Sequence, residues 1–257
     1  MTATTYTVNA DGIGPVDVTV DENGEGQPFL LLHGGGGPDT TARFGGRLAT
    51  SEHLRVLNPI HPGFGGTSRP EALHTAGGLA AVYVALLDQL GLADVTVAGN
   101  SIGGWIAAEM AILNSPRISR VILIDAVGIQ VPEHPPADFF SLRMDQVFPL
   151  SFHNPAPFAI DPATLPPAAQ QIGAANRAAL VTYSGGATMS GDPTLRGRLA
   201  AVEIPTLVLW GDSDQIVTPG YGRAWADAIP KARFEVLKDS GHMPQVETPD
   251  QLLEAIR

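Results

Sequence analysis

The 257-residue chain contains no cysteine, so disulfides, thiolate nucleophiles and cysteine-held metals are excluded from the start. Charge is sparse as well. Asp, Glu, Lys and Arg make up 16% of the residues, with 15 Lys or Arg against 26 Asp or Glu. The formal net charge of −11 disfavours nucleic acid and anionic membrane surfaces as partners, because both require a cationic face. No uninterrupted apolar run approaches the roughly 18 residues of a membrane span. The opening stretch MTATTYTVNADGIG lacks both the basic and the apolar segment of a secretory leader, so a cytoplasmic location is expected.

What the chain does contain is a 44% hydrophobic fraction, ample for a large core. Short apolar runs bounded by turn residues recur at PFLLLHG (28–34), LRVLNPI (54–60), DVTVAGN (94–100), RVILIDA (120–126), PTLVLWG (205–211) and ARFEVLK (232–238). Unbroken apolar runs of this length suit strands buried on both faces. TTYTVNA and VDVTVDE alternate polar and apolar residues around a Gly/Pro turn and predict an antiparallel hairpin. Helical patterns fall between the later strands, near 77–91, 102–114, 220–229 and 248–256. Gly91 is the expected C-terminal cap of the first, and Thr248 with Gln251 forms a candidate capping box for the last. The alternation predicts an α/β fold, doubly wound around a mostly parallel sheet. It breaks between 128 and 203, where Pro, Ala and Phe accumulate and helical pieces are expected near 136–147 and 166–183. The domain reading is a core of 1–127 with 204–257, and an ordered helical cap of 128–203.

Within VTVAGNSIGGWIAAEMA (95–111), Ser101 falls where a buried strand gives way to a helix, flanked by Gly99 and Gly103. A serine exposed on such a turn must adopt strained backbone angles, and glycines two residues either side remove the clashing side chains. A plainer explanation is a serine N-cap. A serine nucleophile needs a histidine base and a carboxylate to orient it. Of seven histidines, His53, His74, His134 and His153 lie in loop-like or cap-like segments, and His33 and His61 end strands and suit structural hydrogen bonds. His242, in KDSGHMPQVETPD after the last strand, is the candidate base. For the carboxylate, Asp214 in the loop GDSDQIVTP is preferred on chain order. Asp212 shares that loop and Asp125 is the fallback, and any of the three could be an ordinary Asx-turn residue. Backbone N–H groups of Gly35, in HGGGG (33–37), and of Ile102 are the candidate oxyanion donors. The same glycine run lacks the follow-on residues of a phosphate loop. A metal site on His33, His61 and Asp125 lacks any recognisable ligand spacing.

Together HGGGG (33–37), HPGFGGTSRP (61–70), GNSIGG (99–104), WGDSDQIVTP (210–219) and DSGHMPQVETPD (239–250) make the whole chain resemble an α/β-hydrolase. The resemblance implies eight strands, a helical cap after the sixth, a Ser101–His242–Asp214 triad and no cofactor or metal. HGGGG with GNSIGGW is similar to the meta-cleavage product hydrolases, in which an asparagine before the serine and a cap arginine hold the substrate. Asn100 matches the former; for the latter, Arg143 and Arg177 in the cap are the candidates. Met243 stands where those enzymes usually carry an aromatic residue. Gly34, Asn100, Arg177 and Met243 are thus the candidate substrate contacts, and Phe139, Phe140, Phe148, Phe152 and Phe158 a candidate apolar ceiling. The expected activity is hydrolysis of a small, partly hydrophobic carboxylic ester. Carbon–carbon bond hydrolysis, the related perhydrolase and lyase chemistries, and a ligand receptor on the same fold remain the alternatives. A small-molecule substrate is the expected partner, and a homodimer is compatible with the sequence.

Overall fold

The computed structural model describes residues 2–257. The first two strands, β1 (Thr2–Ala10) and β2 (Gly14–Asn23), pair antiparallel as the alternating pattern predicts. The chain then continues through β3 (Gln27–Leu32), α1 (Asp39–Glu52), β4 (Leu54–Pro59), α2 (Ala76–Gln89), β5 (Val95–Asn100), α3 (Ile102–Ile112) and β6 (Ile118–Ile124). After a long excursion it returns with β7 (Thr206–Gly211), α7 (Pro219–Ala228), β8 (Ala232–Leu237), α8 (Pro244–Glu247) and α9 (Pro249–Ile256). The eight strands form one sheet in the order β1-β2-β4-β3-β5-β6-β7-β8, and every pairing from β4 to β8 is parallel.

The buried runs serve both faces of this sheet. In β3, Leu30 and Leu32 pack with α2 and α3 residues such as Leu79 and Ile106, whereas Phe29 and Leu31 join Leu48 of α1 and Leu252 of α9. Val121 and Leu123 against Ile122 and Ile124 repeat the alternation in β6. A period of two with both sides buried reads as a continuous apolar run.

Two local expectations are corrected, and one helix is unforeseen. Helix α1 has no counterpart in the sequence pattern, because DTTARFGGRLATSE holds two glycines and few strong helix formers. Packing accounts for one glycine: a Cβ on Gly45 would sit 2.6 Å from Asn58 Nδ2 of β4. The capping box at Thr248 does not form. Thr248 makes no side-chain cap; its hydroxyl pairs with Ser240 Oγ at 2.8 Å, and Gln251 bridges both backbone groups of Lys238. The helix expected over 136–147 is instead a single 3₁₀ turn at Phe139–Ser141 followed by α4 (Met144–Ser151). Leu142 and Arg143 are extended between them, and Gln146 Oε1 accepts the Arg143 N–H, starting the helix there. Gly91 does take a positive φ of 63° just beyond α2.

Between β6 and β7 lie α4, α5 (Pro167–Tyr183) and α6 (Leu195–Arg198). Ser151 O accepts the backbone N–H of His242, Gln215 N donates to Leu150 O, and Tyr183 Oη donates to Pro62 O. This segment therefore rests on loops at the carboxyl ends of the parallel strands, where open α/β sheets hold ligands. Among the described residues, no helix is long and apolar enough to cross a membrane.

Candidate active site

The turn between β5 and α3 carries backbone strain. Ser101 has φ 57° and ψ −118°, a region few side-chain-bearing residues occupy. Its N–H donates to Ile124 O and its carbonyl receives Gly104 N, so the neighbouring strand β6 and the first turn of α3 hold it there. The two glycines are explained by contact. A Cβ on Gly99 would lie 2.1 Å from Gly103 O, and one on Gly103 would lie 2.4 Å from Leu32 O. The Ser101 side chain makes no capping bond to α3, which removes the N-cap explanation, and the residue lines a cavity.

His242 lines the same cavity. Its Nδ1 lies 2.7 Å from Asp214 Oδ2. Asp214 is buried, and its Oδ1 accepts the N–H groups of Ile216 and Val217 at 2.8 and 3.1 Å. The Asx-turn bonds are present, and the same carboxylate also faces the His242 ring. A carboxylate facing Nδ1 puts the ring proton on that nitrogen and leaves Nε2 as the acceptor. Asp212 is engaged elsewhere, accepting from Ser213 Oγ and Ser240 N. No hydrogen bond joins Ser101 to His242 in this structure; such bonds are often long before a substrate is bound.

The glycine loop after β3 forms another wall of the cavity through Gly34, Gly35 and Gly36. Neither Gly35 N nor Ile102 N donates to any acceptor among the described residues, so both are free donors flanking Ser101. The loop is held from beneath by two buried histidines. His33 Nε2 accepts His61 N–H, so His33 Nδ1 carries the proton and donates to Gly34 O at 2.8 Å. His61 Nε2 donates to His33 O, leaving Nδ1 to accept from Tyr83 Oη. Burial lowers the His33 pKa to about 4 and holds that of His61 well below its ordinary value, so both rings stay neutral. Neither nitrogen pair is available to a metal.

Asp125 is fully buried at the end of β6, with Oδ1 accepting Gly211 N–H at 2.8 Å. One donor atom from each of Asp125, Asp214 and His242 lies within 4.8 Å of the others. A cation there would have to replace the short Asp214–His242 hydrogen bond, and the residues read as a hydrogen-bond network rather than a ligand set.

The cavity measures about 100 Å³. Phe139, Phe148, Phe152, Leu180 and Met189 close it from the segment between β6 and β7, and Met243 lines it from the core. Two of the five expected ceiling phenylalanines do not line it. Phe158 stacks on Phe152 at 4.6 Å and Phe140 meets Phe139 edge-on at 5.4 Å. A second, open groove of about 780 Å³ shares Met144 and Phe148 with the cavity.

Two expected substrate contacts are corrected. Arg177 does not line the cavity: its Nη2 donates to Phe140 O at 2.7 Å and approaches Phe139 O and Leu142 O. Its charge is spent fastening the turn before α4. Asn100 does line the cavity, but both its amide hydrogens go to backbone carbonyls, of His242 at 2.9 Å and Ile124 at 3.3 Å. It ties the histidine loop to the serine turn and has no donor left for a substrate. Arg143 is exposed and paired with Asp145. His53, His74, His134 and His153 are all exposed.

Sequence reasoning missed Asn176 and Gln245. Asn176 of α5 accepts Gly65 N–H at 2.8 Å and donates to Gly36 O at 3.3 Å, joining two site loops to the overlying segment. Gln245 Nε2 donates to Asn100 Oδ1. Neither role shows in the local sequence, although Gln245 lies within DSGHMPQVETPD, since each partner lies more than a hundred positions away.

A family model described as the Alpha/beta hydrolase family matches residues 29–255. Lipase 3 of Moraxella sp. (strain TA144) is 30% identical over 239 residues, covering 88% of this chain and 75% of that protein. 2-Hydroxymuconate semialdehyde hydrolase of Pseudomonas sp. (strain CF600) is 26% identical over 258 residues, covering 90% and 86%. A solved thermophilic esterase from Thermogutta terrifontis aligns with a TM-score of 0.78 at 27% identity, over 100% of this chain and 97% of its own. The chain belongs to the alpha/beta hydrolase family and is an enzyme of its esterase/lipase or carbon–carbon hydrolase type.

Proposed function

We propose that the protein is a serine carboxylesterase acting through an acyl-enzyme on Ser101. The observation that carries this reading is the 2.7 Å Asp214–His242 hydrogen bond, in a cavity that His242 shares with the strained Ser101. His242 Nε2 takes the hydroxyl proton as Oγ attacks the ester carbonyl, and Asp214 stabilises the imidazolium that forms. The unpaired N–H groups of Gly35 and Ile102 receive the oxyanion. The imidazolium then protonates the departing alcohol. Water, activated by the regenerated His242, hydrolyses the acyl-enzyme. The segment 128–203 acts as the cap, excluding water above the serine.

The substrate is uncharged and mostly apolar where it meets the cap, because Phe139, Phe148, Phe152 and Met243 surround the reacting position. Parts too long for the inner cavity run past Phe148 into the outer groove. The carbon–carbon reading is disfavoured by Arg177, whose guanidinium is committed to carbonyl oxygens, and by an inner cavity whose lining, among the described residues, includes no lysine or arginine for a dienoate carboxylate.

The test is steady-state hydrolysis of p-nitrophenyl acetate and butyrate, beside a meta-cleavage dienoate, by the wild type and Ser101→Ala. Sustained ester turnover that falls by three or more orders of magnitude in the variant supports the reading. Faster dienoate cleavage, or ester turnover that survives the substitution, overturns it.

A further inference from the structure

Asp125 has no place in the mechanism above, yet it is a fully enclosed ionisable group beside it. The residue is 0% exposed. Its Oδ1 accepts Gly211 N–H, whereas Oδ2 is buried and has no hydrogen-bond partner. A bare carboxylate oxygen sealed from water is costly, and the ordinary remedy is a proton. A protonated Oδ2 becomes a donor, which then requires an acceptor. Asp214 supplies one. Of roughly four lone-pair directions on its carboxylate, three are occupied by Ile216 N, Val217 N and His242 Nδ1. Asp214 and His242 each place a side-chain donor or acceptor atom within 4.8 Å of Asp125.

We propose that Asp125 is a positioning residue that holds its proton throughout the catalytic cycle and donates it as a hydrogen bond to Asp214, so that the two carboxyl groups together carry a single negative charge. The inference rests on the assignment of Asp214 and His242 in the preceding section. Burial, reinforced by the neighbouring Asp214 charge, holds the Asp125 carboxyl well above the usual carboxylate range. The consequence reaches His242. A second negative charge beside the imidazole would favour its protonated form and so oppose its acceptance of the Ser101 proton. One shared charge orients the ring and stabilises the imidazolium only once it forms. The proton on Asp125 is not transferred at any step; its O–H bond stays intact while protons move between Ser101, His242, the leaving alcohol and water.

Two measurements test this. In wild-type protein carrying ¹³C-labelled aspartate, one carboxyl resonance at pH 7 should have the chemical shift of a protonated acid. It should be missing from Asp125→Asn. Aspartate resonances that are all ionised at pH 7 overturn the proposal whether or not the protein cleaves esters, which separates its failure from that of the esterase assignment. The second measurement is the pH dependence of kcat/KM. Asp125→Ala, which removes the donor, should lower kcat/KM on the order of tenfold, as expected for losing one hydrogen bond to a charged group. Asp125→Asn reproduces a protonated aspartate in shape and in donor and acceptor placement. It should recover most of that loss and leave the acid limb where the wild type has it. An acid limb displaced downward by about one unit in Asp125→Asn would mean a negative charge had been removed beside His242, and would refute the proposal.

Discussion

Ser101 holds a φ of 57° and a ψ of −118°, and its side chain makes no cap. Glycine occupies this region readily, as at the first central position of a type II′ turn, whereas any residue with a Cβ is strained there. Ser101→Ala keeps the Cβ and the strain; Ser101→Gly removes both. Strain of this kind costs about 2 kcal/mol within a range of roughly 1–3. Against it stands about 0.7 kcal/mol for the extra freedom of glycine in the unfolded chain. Ser101→Gly should therefore be more stable than Ser101→Ala by about 1.3 kcal/mol. At about 2–4 °C per kcal/mol for a chain of this size, its Tm should be higher by about 3–5 °C. Both variants lack the hydroxyl, so calorimetry compares them without interference from turnover or bound product. A Tm of Ser101→Gly equal to or below that of Ser101→Ala would refute the claim that the turn stores strain. The result expected would mean that stability has been given up at the position that presents the proposed nucleophile.

Adjacent glycines in α1 should respond in opposite directions. Gly46 has open space around a notional Cβ, so Gly46→Ala should gain about 0.5–1 kcal/mol, whereas Gly45→Ala meets Asn58 and should lose stability in urea unfolding. The His33 ring, with its pKa lowered to about 4, should show no imidazole titration by NMR between pH 7 and 5. The unfolded chain takes up that proton near pH 6.5, so this group's share of stability is complete above pH 6.5 and is lost as pH falls towards 4. The loss, read as the difference in pH slope between wild type and His33→Asn, should amount to about 2 kcal/mol between pH 7 and 5. Equal slopes would refute it. Phe148 lines both the cavity and the outer groove, so Phe148→Ala should move the preferred p-nitrophenyl ester to longer acyl chains. An unchanged chain-length profile would mean the groove takes no part in binding.

The amino-acid sequence by itself determined the sheet, because a strand buried on two faces must be apolar at every position and PFLLLHG or PTLVLWG can satisfy no other environment as well. The strained turn was legible for the same local reason: the glycines around Ser101 have to tolerate contacts made within five residues of the chain and by the adjoining strand. Helix α1 was not legible, since it holds two glycines and few strong helix formers, and only Gly45 answers to a side chain on β4. Tertiary structure alone decided what depends on pairs distant in sequence. Nothing in either loop distinguishes Asp214 from Asp125 as the partner of His242. The 2.7 Å contact to one, and the sealed, unpartnered oxygen of the other, follow from how β6, β7 and the loop after β8 come together. Nor could the sequence reveal that Arg177 and Asn100 spend their donors on backbone carbonyls, for a side chain's partners are set by three-dimensional proximity, and periodicity records only which face it occupies.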